Sequence, residues 1–375
     1  MRRISLMVSA LLLAISMTTP ASAGAGGADP TGRWPICGEW REVATPRGGA
    51  VGYVQDVVVI SPYEAWVVTD YGADAFNESL VYRWDGIRWT EVAFPTPPRA
   101  GDPPTWSLTA IAEVGPDAVW AVGFRVADAL RPISARWDGA RWRLVPMGIR
   151  HLHGRLEGLT VVPGTSQLWA VGSSGHHPLA LRWDGNAWHK TRTPQLDGRP
   201  TFADVVSTAG GATWAVGSTT DVGGRMMFAR WTGREWTVRL GPHGGLTAID
   251  GYAADSLWAA GSTPKADDPY WSNGVVMRRH EGGWRVARRF DRVSNVNAIQ
   301  AVSPTQAWAV GHASSRADQT PSPIVLRRTG ARWRVDWAPA IDGWFSAIGG
   351  TPHNLWAFMT PAPSDTGSFV PYHRC

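Results

Sequence analysis

The sequence predicts an all-β fold: a seven-bladed β-propeller of four-stranded antiparallel blades, closed by an N-terminal strand that completes the last blade. Three observations carry this prediction. Tryptophan is overused, with 23 Trp against 9 Phe and 7 Tyr, as in a chain that repeats one Trp-bearing unit. The string Trp-Ala-Val-Gly begins at Trp120, Trp169, Trp214 and Trp308, with near-copies at Trp66, Trp258 and Trp356; the spacings are 54, 49, 45, 44, 50 and 48 residues. Each interval holds about four short strand patterns bounded by turn residues, which is the arithmetic of a propeller blade.

Within a unit, the first strand is a four-residue signature. It reads VQDV from Val54, LTAI from Leu108, LEGL from Leu156, FADV from Phe202, LTAI from Leu246, VNAI from Val296 and FSAI from Phe345. A short turn such as Val114–Ala118 leads to the WAVG strand. The third strand ends in Arg-Trp, as at Arg136-Trp137, and Asp138-Gly139 then supplies a tight turn, because glycine accepts positive φ without steric cost. The fourth strand opens on a second Trp: Trp89, Trp142, Trp188, Trp236, Trp284 or Trp333. Six residues before each of these stands an Arg: Arg83, Arg136, Arg182, Arg230, Arg278 or Arg327. A residue set present in every blade is expected to serve packing, with indole rings filling the space between sheets and guanidinium groups stacked on them.

The seventh unit runs through Trp356 and lacks its fourth strand. The missing piece stands at the other end of the chain, in Cys37–Val43, so the N-terminal segment is expected to pair with the C-terminal one. Cys37 and Cys375 are the only cysteines, and both fall at this junction. In an exported protein that pair is expected to form a disulfide, removing about 5 kcal/mol or more of unfolded-chain freedom in the loop-entropy model. Export is expected from the leader: Met1-Arg2-Arg3, an apolar run from Ile4 to Met17, and a small-residue cleavage pattern at Ala21-Ser22-Ala23. The expected organisation is a signal peptide over 1–23, a flexible mature N-terminus over 24–33 and the propeller over 34–375, secreted and monomeric. No later run is apolar enough for stable membrane insertion.

The formal net charge is +5, and the two leader arginines account for two of those charges. Lysine occurs only at Lys190 and Lys265, and no basic run of nucleic-acid type appears. The WAVG…RWDGxxW units resemble those of secreted bacterial propeller-repeat proteins. They are also loosely similar to tectonin-type repeats, which have a Val-Trp-Ala/Gly-Val strand and a later Gly-x-x-Trp. The resemblance spans residues 34–375 and implies a carbohydrate-binding, lectin-like role. It carries over no sugar-binding residue.

The loops between second and third strands, and between blades, vary in length and share one face of a propeller, where functional residues tend to sit. The residues just before each signature should ring the channel mouth. The expected ligand platform is Tyr53, Trp106 with Ser107, Arg155, Asn295 and Trp344, with Tyr270 and Trp271 of a long loop as a second exposed aromatic pair. The ligand is expected to be a glycan or a protein. His151, His153, His176 and His177 fall in two adjacent loops and offer the one place for a divalent metal; no other cofactor is implied. No G-x-S-x-G, P-loop or Cys–His nucleophile pair is present, which weighs against catalysis. The competing reading is a secreted hydrolase or lyase using acidic and His residues at the mouth, with Asp70, Asp221, Asp268 and Asp342 as available carboxylates.

Overall fold

The computed structural model describes residues 38–45, 53–70, 79–97, 105–115, 117–219, 224–268, 271–314, 320–362 and 368–375. These form seven four-stranded antiparallel sheets, one per repeat, and the described residues contain no α-helix. Blade 1 is β2 (Tyr53–Ser61), β3 (Glu64–Asp70), β4 (Val81–Trp84) and β5 (Trp89–Val92), hydrogen-bonded in chain order. Blades 2 to 6 repeat this order. Their inner strands are β6 (Thr105–Gly115), β10 (Arg155–Val161), β14 (Thr201–Ser207), β18 (Gly245–Ala253) and β22 (Asn295–Ala301).

Blade 7 combines both ends of the chain. Its sheet order is β1 (Arg41–Glu42), β28 (Val370–Arg374), β27 (Asn354–Pro361) and β26 (Gly343–Thr351). Arg41 pairs with His373 and Glu42 with Tyr372, and the Val43 amide donates to the Pro371 carbonyl at 2.9 Å. Trp40, buried just before this strand, stands edge-on to Trp308 at 5.7 Å. It supplies the second Trp that the C-terminal part of the unit lacks. Among the described residues no cysteine is free; Cys37 lies outside them.

The turns follow the sequence. Gly139 adopts φ +90°, and Asp138 Oδ1 accepts hydrogen bonds from the amides of Ala140 and Arg141 at 3.1 and 2.9 Å. The glycine of WAVG has a different reason. A Cβ on Gly123 would come within 1.9 Å of the Ser107 carbonyl oxygen of the inner strand, so backbone is packed against backbone there.

The core lies between blades and is built from the repeated tryptophans. Trp66 of blade 1 meets Trp137 and Trp142 of blade 2, Trp120 meets Trp183, and Trp169 meets Trp231, each with a nearest centroid separation of 4.8–4.9 Å. Arg83 stacks on Trp66 at 5.1 Å and Arg327 on Trp308 at 4.9 Å, within the range of cation–π attraction. The Trp–Trp–Arg set therefore packs the seams.

Candidate functional site at the channel mouth

Every inner strand carries a β-bulge at the same place. Pairing with the second strand skips one residue, the second of the signature: Gln55, Thr109, Glu157, Ala203, Thr247, Asn297 and Ser346. A bulge leaves its extra residue outside the ladder and re-aims its side chain. All seven line one cavity of about 640 Å³ on the axis, at the end where the inner strands begin. Tyr53, Arg155, Thr201 and Trp344 from the position before the signature join them, as does His312.

Neighbouring blades are tied together around this ring. The Thr109 hydroxyl donates to the Leu156 carbonyl and that of Thr247 to the Val296 carbonyl, both at 2.8 Å; Asn297 Nδ2 donates to the Phe345 carbonyl at 2.6 Å. Deeper in, Asp56 accepts from the Ile111 amide, Asp204 from the Ile249 amide and Asp250 from the Ala301 amide, each across a blade boundary at 2.6–2.9 Å. Asp56 and Asp204 line a narrower inner chamber of about 120 Å³. Burial raises all three carboxyls, Asp56 to about 7, Asp204 to about 8 and Asp250 to about 6. Burial also dominates at Glu157, whose pKa is raised although the ion pair with Arg155 opposes the shift. The same cause lowers His312, favouring neutral imidazole, and its Nδ1 is buried with no hydrogen-bond partner among the described residues.

Of the residues expected from sequence, the structure brings together Tyr53, Arg155 and Trp344. Tyr53 and Trp344, from the two blades that meet at the closure, stack at 5.9 Å and 23°. Trp106 is a correction. It is 2% exposed and stacks on Phe94 at 4.9 Å in the core between blades. Trp106 stands two residues before its signature, not one, and a single step along a strand turns a side chain to the other face. Ser107, the true equivalent, is buried as well. Asn295 stands behind the cavity wall, donating through Nδ2 to Asn297 Oδ1 at 2.7 Å. Trp271 stands away from the mouth, with Lys265 Nζ 5.8 Å from its ring centre; Tyr270 lies outside the described residues.

His151, His153, His176 and His177 are all exposed. Among the described residues no three His, Cys, Asp or Glu side chains come together as metal ligands would. Asp70, Asp268 and Asp342 do not line the cavity, and Asp221 lies outside the described residues; the acid at the mouth is Glu157. Sequence reasoning passed over Glu157 and His312. His312 could have been found from register alone, since it pairs with Asn295, one residue before the signature.

The architecture and the funnel at its axis define a seven-bladed propeller with a polar, aromatic-edged central site. No protein-family model matches the sequence, and no curated protein matches it. Solved structures do. The chain is similar to YCF48 from Cyanidioschyzon merolae, at 14% identity and TM-score 0.58, over 89% of this chain and 98% of that one. A YCF48 bound to a D1 peptide aligns at 13% identity and TM-score 0.58, over 89% and 96%. A polysaccharide lyase of family PL25, an ulvan lyase with bound GlcA-(1-4)-Rha3S, aligns at 10% identity and TM-score 0.60, over 88% and 95%. At these identities the likeness is one of fold.

Proposed function

We propose that the chain is an exported, monomeric binding protein that holds a saccharide at the channel mouth. The observation that carries this reading is the stacked Tyr53–Trp344 pair on a cavity whose remaining lining is largely polar, with Arg155, Glu157, His312 and several hydroxyl and amide groups. Flat aromatic faces suit the apolar face of a pyranose ring. Arg155, Glu157, Asn297 and the hydroxyls of Thr109, Thr247 and Ser346 suit its hydroxyls, and a few fixed polar groups set orientation. The volume of about 640 Å³ fits a short oligosaccharide. Adjacent blades hold these groups rigidly, which limits the entropy lost on binding.

A glycan array followed by calorimetry tests the reading. Trp344→Ala is expected to weaken binding by about 1–3 kcal/mol, as for loss of a binding hot spot, with the melting temperature little changed. Unchanged affinity for every ligand of the parent protein would remove the mouth from consideration. A peptide ligand is the second reading, supported by the peptide-bound YCF48; a peptide array run beside the glycan array separates the two. Release of shortened or unsaturated sugar products would favour the hydrolase or lyase alternative, with Glu157 and His312 the groups to replace first.

A further inference from the structure

We propose that the groove between blades 4 and 5, on the outer side of the ring, is a second binding site that takes the sulfate or carboxylate groups of an acidic polysaccharide. The groove has a volume of about 420 Å³. Its walls carry Arg230 and Arg239 from blade 4 and Arg279 from blade 5, and none of its lining residues is acidic. Its aromatic floor comprises Trp214, Phe228 and Trp284.

At the groove the chain departs from the pattern of blades 1 to 4. At the end of the third strand, blades 1 to 4 place a Trp after the repeated Arg: Trp84, Trp137, Trp183 and Trp231. Blade 5 places Arg279 there. Its guanidinium stacks on Trp214 of the preceding blade at 4.7 Å, where blades 1 to 4 stack an indole. Arg230 approaches the same ring at 5.7 Å, so two cations flank one indole. Arg279 is held by the Ala254 carbonyl and by Asp255. Arg230 and Arg239 are exposed, and neither has an acidic partner among the described residues.

The positive surface continues beyond the groove. The outer strand of blade 5, β21 (Gly283–Phe290), exposes Arg285, Arg288 and Arg289. Arg289 pairs with Val275, two residues along from Met277 of the groove wall, which puts it on the groove's face of the strand. The guanidinium forks of Arg230, Arg239 and Arg289 on one face match repeated carboxylates or sulfates along a polymer. The rings weigh against single-stranded nucleic acid. Trp214 is 9% exposed, and Trp284 has one face covered by Phe228 at 4.6 Å and 25°. Neither leaves an open platform for a nucleobase, which single-strand binding relies on.

The test uses the full mature chain. Binding of dextran sulfate, polygalacturonate, neutral dextran and a thymidine oligonucleotide is measured for the parent, for R230E/R239E, and for R332E/R334E on the exposed outer strand of blade 6. The two double variants change net charge equally. The groove variant is expected to lose about tenfold or more in affinity for the two acidic polymers, the blade-6 variant much less, and neutral dextran is expected to show no dependence on either pair. Equal losses in both variants would reduce the effect to overall charge and overturn the site, as would no loss in the groove variant. Oligonucleotide binding as tight as that of the polysaccharides, lost with R230E/R239E, would overturn the assignment to saccharide. Trp344→Ala is expected to leave acidic-polymer binding intact; its loss there would place the polymer at the channel mouth and overturn a separate site.

Discussion

The seven seams of the ring divide into two kinds. Four are closed by tryptophan on tryptophan: Trp356 on Trp84, Trp66 on Trp137, Trp120 on Trp183 and Trp169 on Trp231, all at 4.8–4.9 Å. Three are closed by arginine on tryptophan: Arg279 on Trp214, Arg328 on Trp258 and Arg374 on Trp308, at 4.7–4.8 Å. The spacing is the same and the chemistry is not. A Trp seam buries apolar area on both sides. An Arg seam keeps a charge that must be satisfied elsewhere. Arg328 donates to the Thr305 carbonyl at 2.7 Å, whereas Arg374 and Arg327 share Asp336 at 3.7 and 3.8 Å. The difference teaches that one geometric slot accepts either a ring or a planar cation, and that only the cation leaves a polar surface for further use.

The largest expected effect is at a Trp seam. Trp66 is fully buried, and Trp66→Ala is expected to cost about 3–5 kcal/mol, as for a large ring removed from a core. Arg328→Ala at an Arg seam is expected to cost less, about 1–3 kcal/mol, and thermal or urea unfolding measures both. Equal losses would dissolve the distinction between the two kinds of seam.

The closure of the ring comes next. The seam between blades 6 and 7 is an Arg seam backed by the N-terminal strand, with Trp40 Nε1 donating to Asp336 at 3.3 Å. If Cys37 and Cys375 are joined, Cys37→Ser is expected to lower stability by about 2–4 kcal/mol, read as a lower melting temperature without reductant. Intact mass showing two free thiols would remove the disulfide.

A smaller effect sharpens the comparison at one seam. Arg279→Trp converts the seam between blades 4 and 5 to the other kind. The fold is expected to persist, with stability within about 1–3 kcal/mol of the parent, while affinity for acidic polymers falls as the groove fills. Unchanged polymer binding would show that the cation at this position is incidental.

A pH-dependent effect lies at the inner end of the seams. Asp56, Asp204 and Asp250 have native pKa values raised by burial to about 7, 8 and 6. Between the unfolded value of about 4 and these values, the native state binds more protons than the unfolded chain. Their contribution to stability is therefore fully present below about pH 4 and declines as pH rises toward 8. Asp204→Asn is expected to flatten that decline in urea titrations between pH 5 and 9; an unaltered slope would assign the dependence to other groups.

Much of the molecule was legible in the chain because its signals are local and repeated. The blade count, the four strands, the Asp-Gly turns and the completion of blade 7 by the N-terminal segment all rest on short periodic patterns. Tyr53, Arg155 and Trp344 were legible because they precede a recognisable signature by one residue. Trp106 was misread by one position, which in a strand means the opposite face. The bulged residues were passed over because a bulge breaks the alternation that sequence reading assumes, and Gln55 or Glu157 inside VQDV or LEGL reads as an ordinary solvent-facing position.

The two kinds of seam were present in the sequence as Arg-Trp in blades 1 to 4 against Arg278-Arg279, Arg327-Arg328 and His373-Arg374 in blades 5 to 7. Their meaning was not, because the partner of each is a Trp at least 60 residues away, in the preceding blade. The sequence by itself determined the repeat, its strands and the way the ring closes, since each follows from periodicity, turn chemistry and a complementary pair of ends. Only the tertiary structure decided which side chains share the channel mouth, which carboxyls lie deep enough to hold their protons, and where a cation replaces a ring. Those properties depend on distance and burial between blades, and a linear chain encodes them only through the packing that brings the blades together.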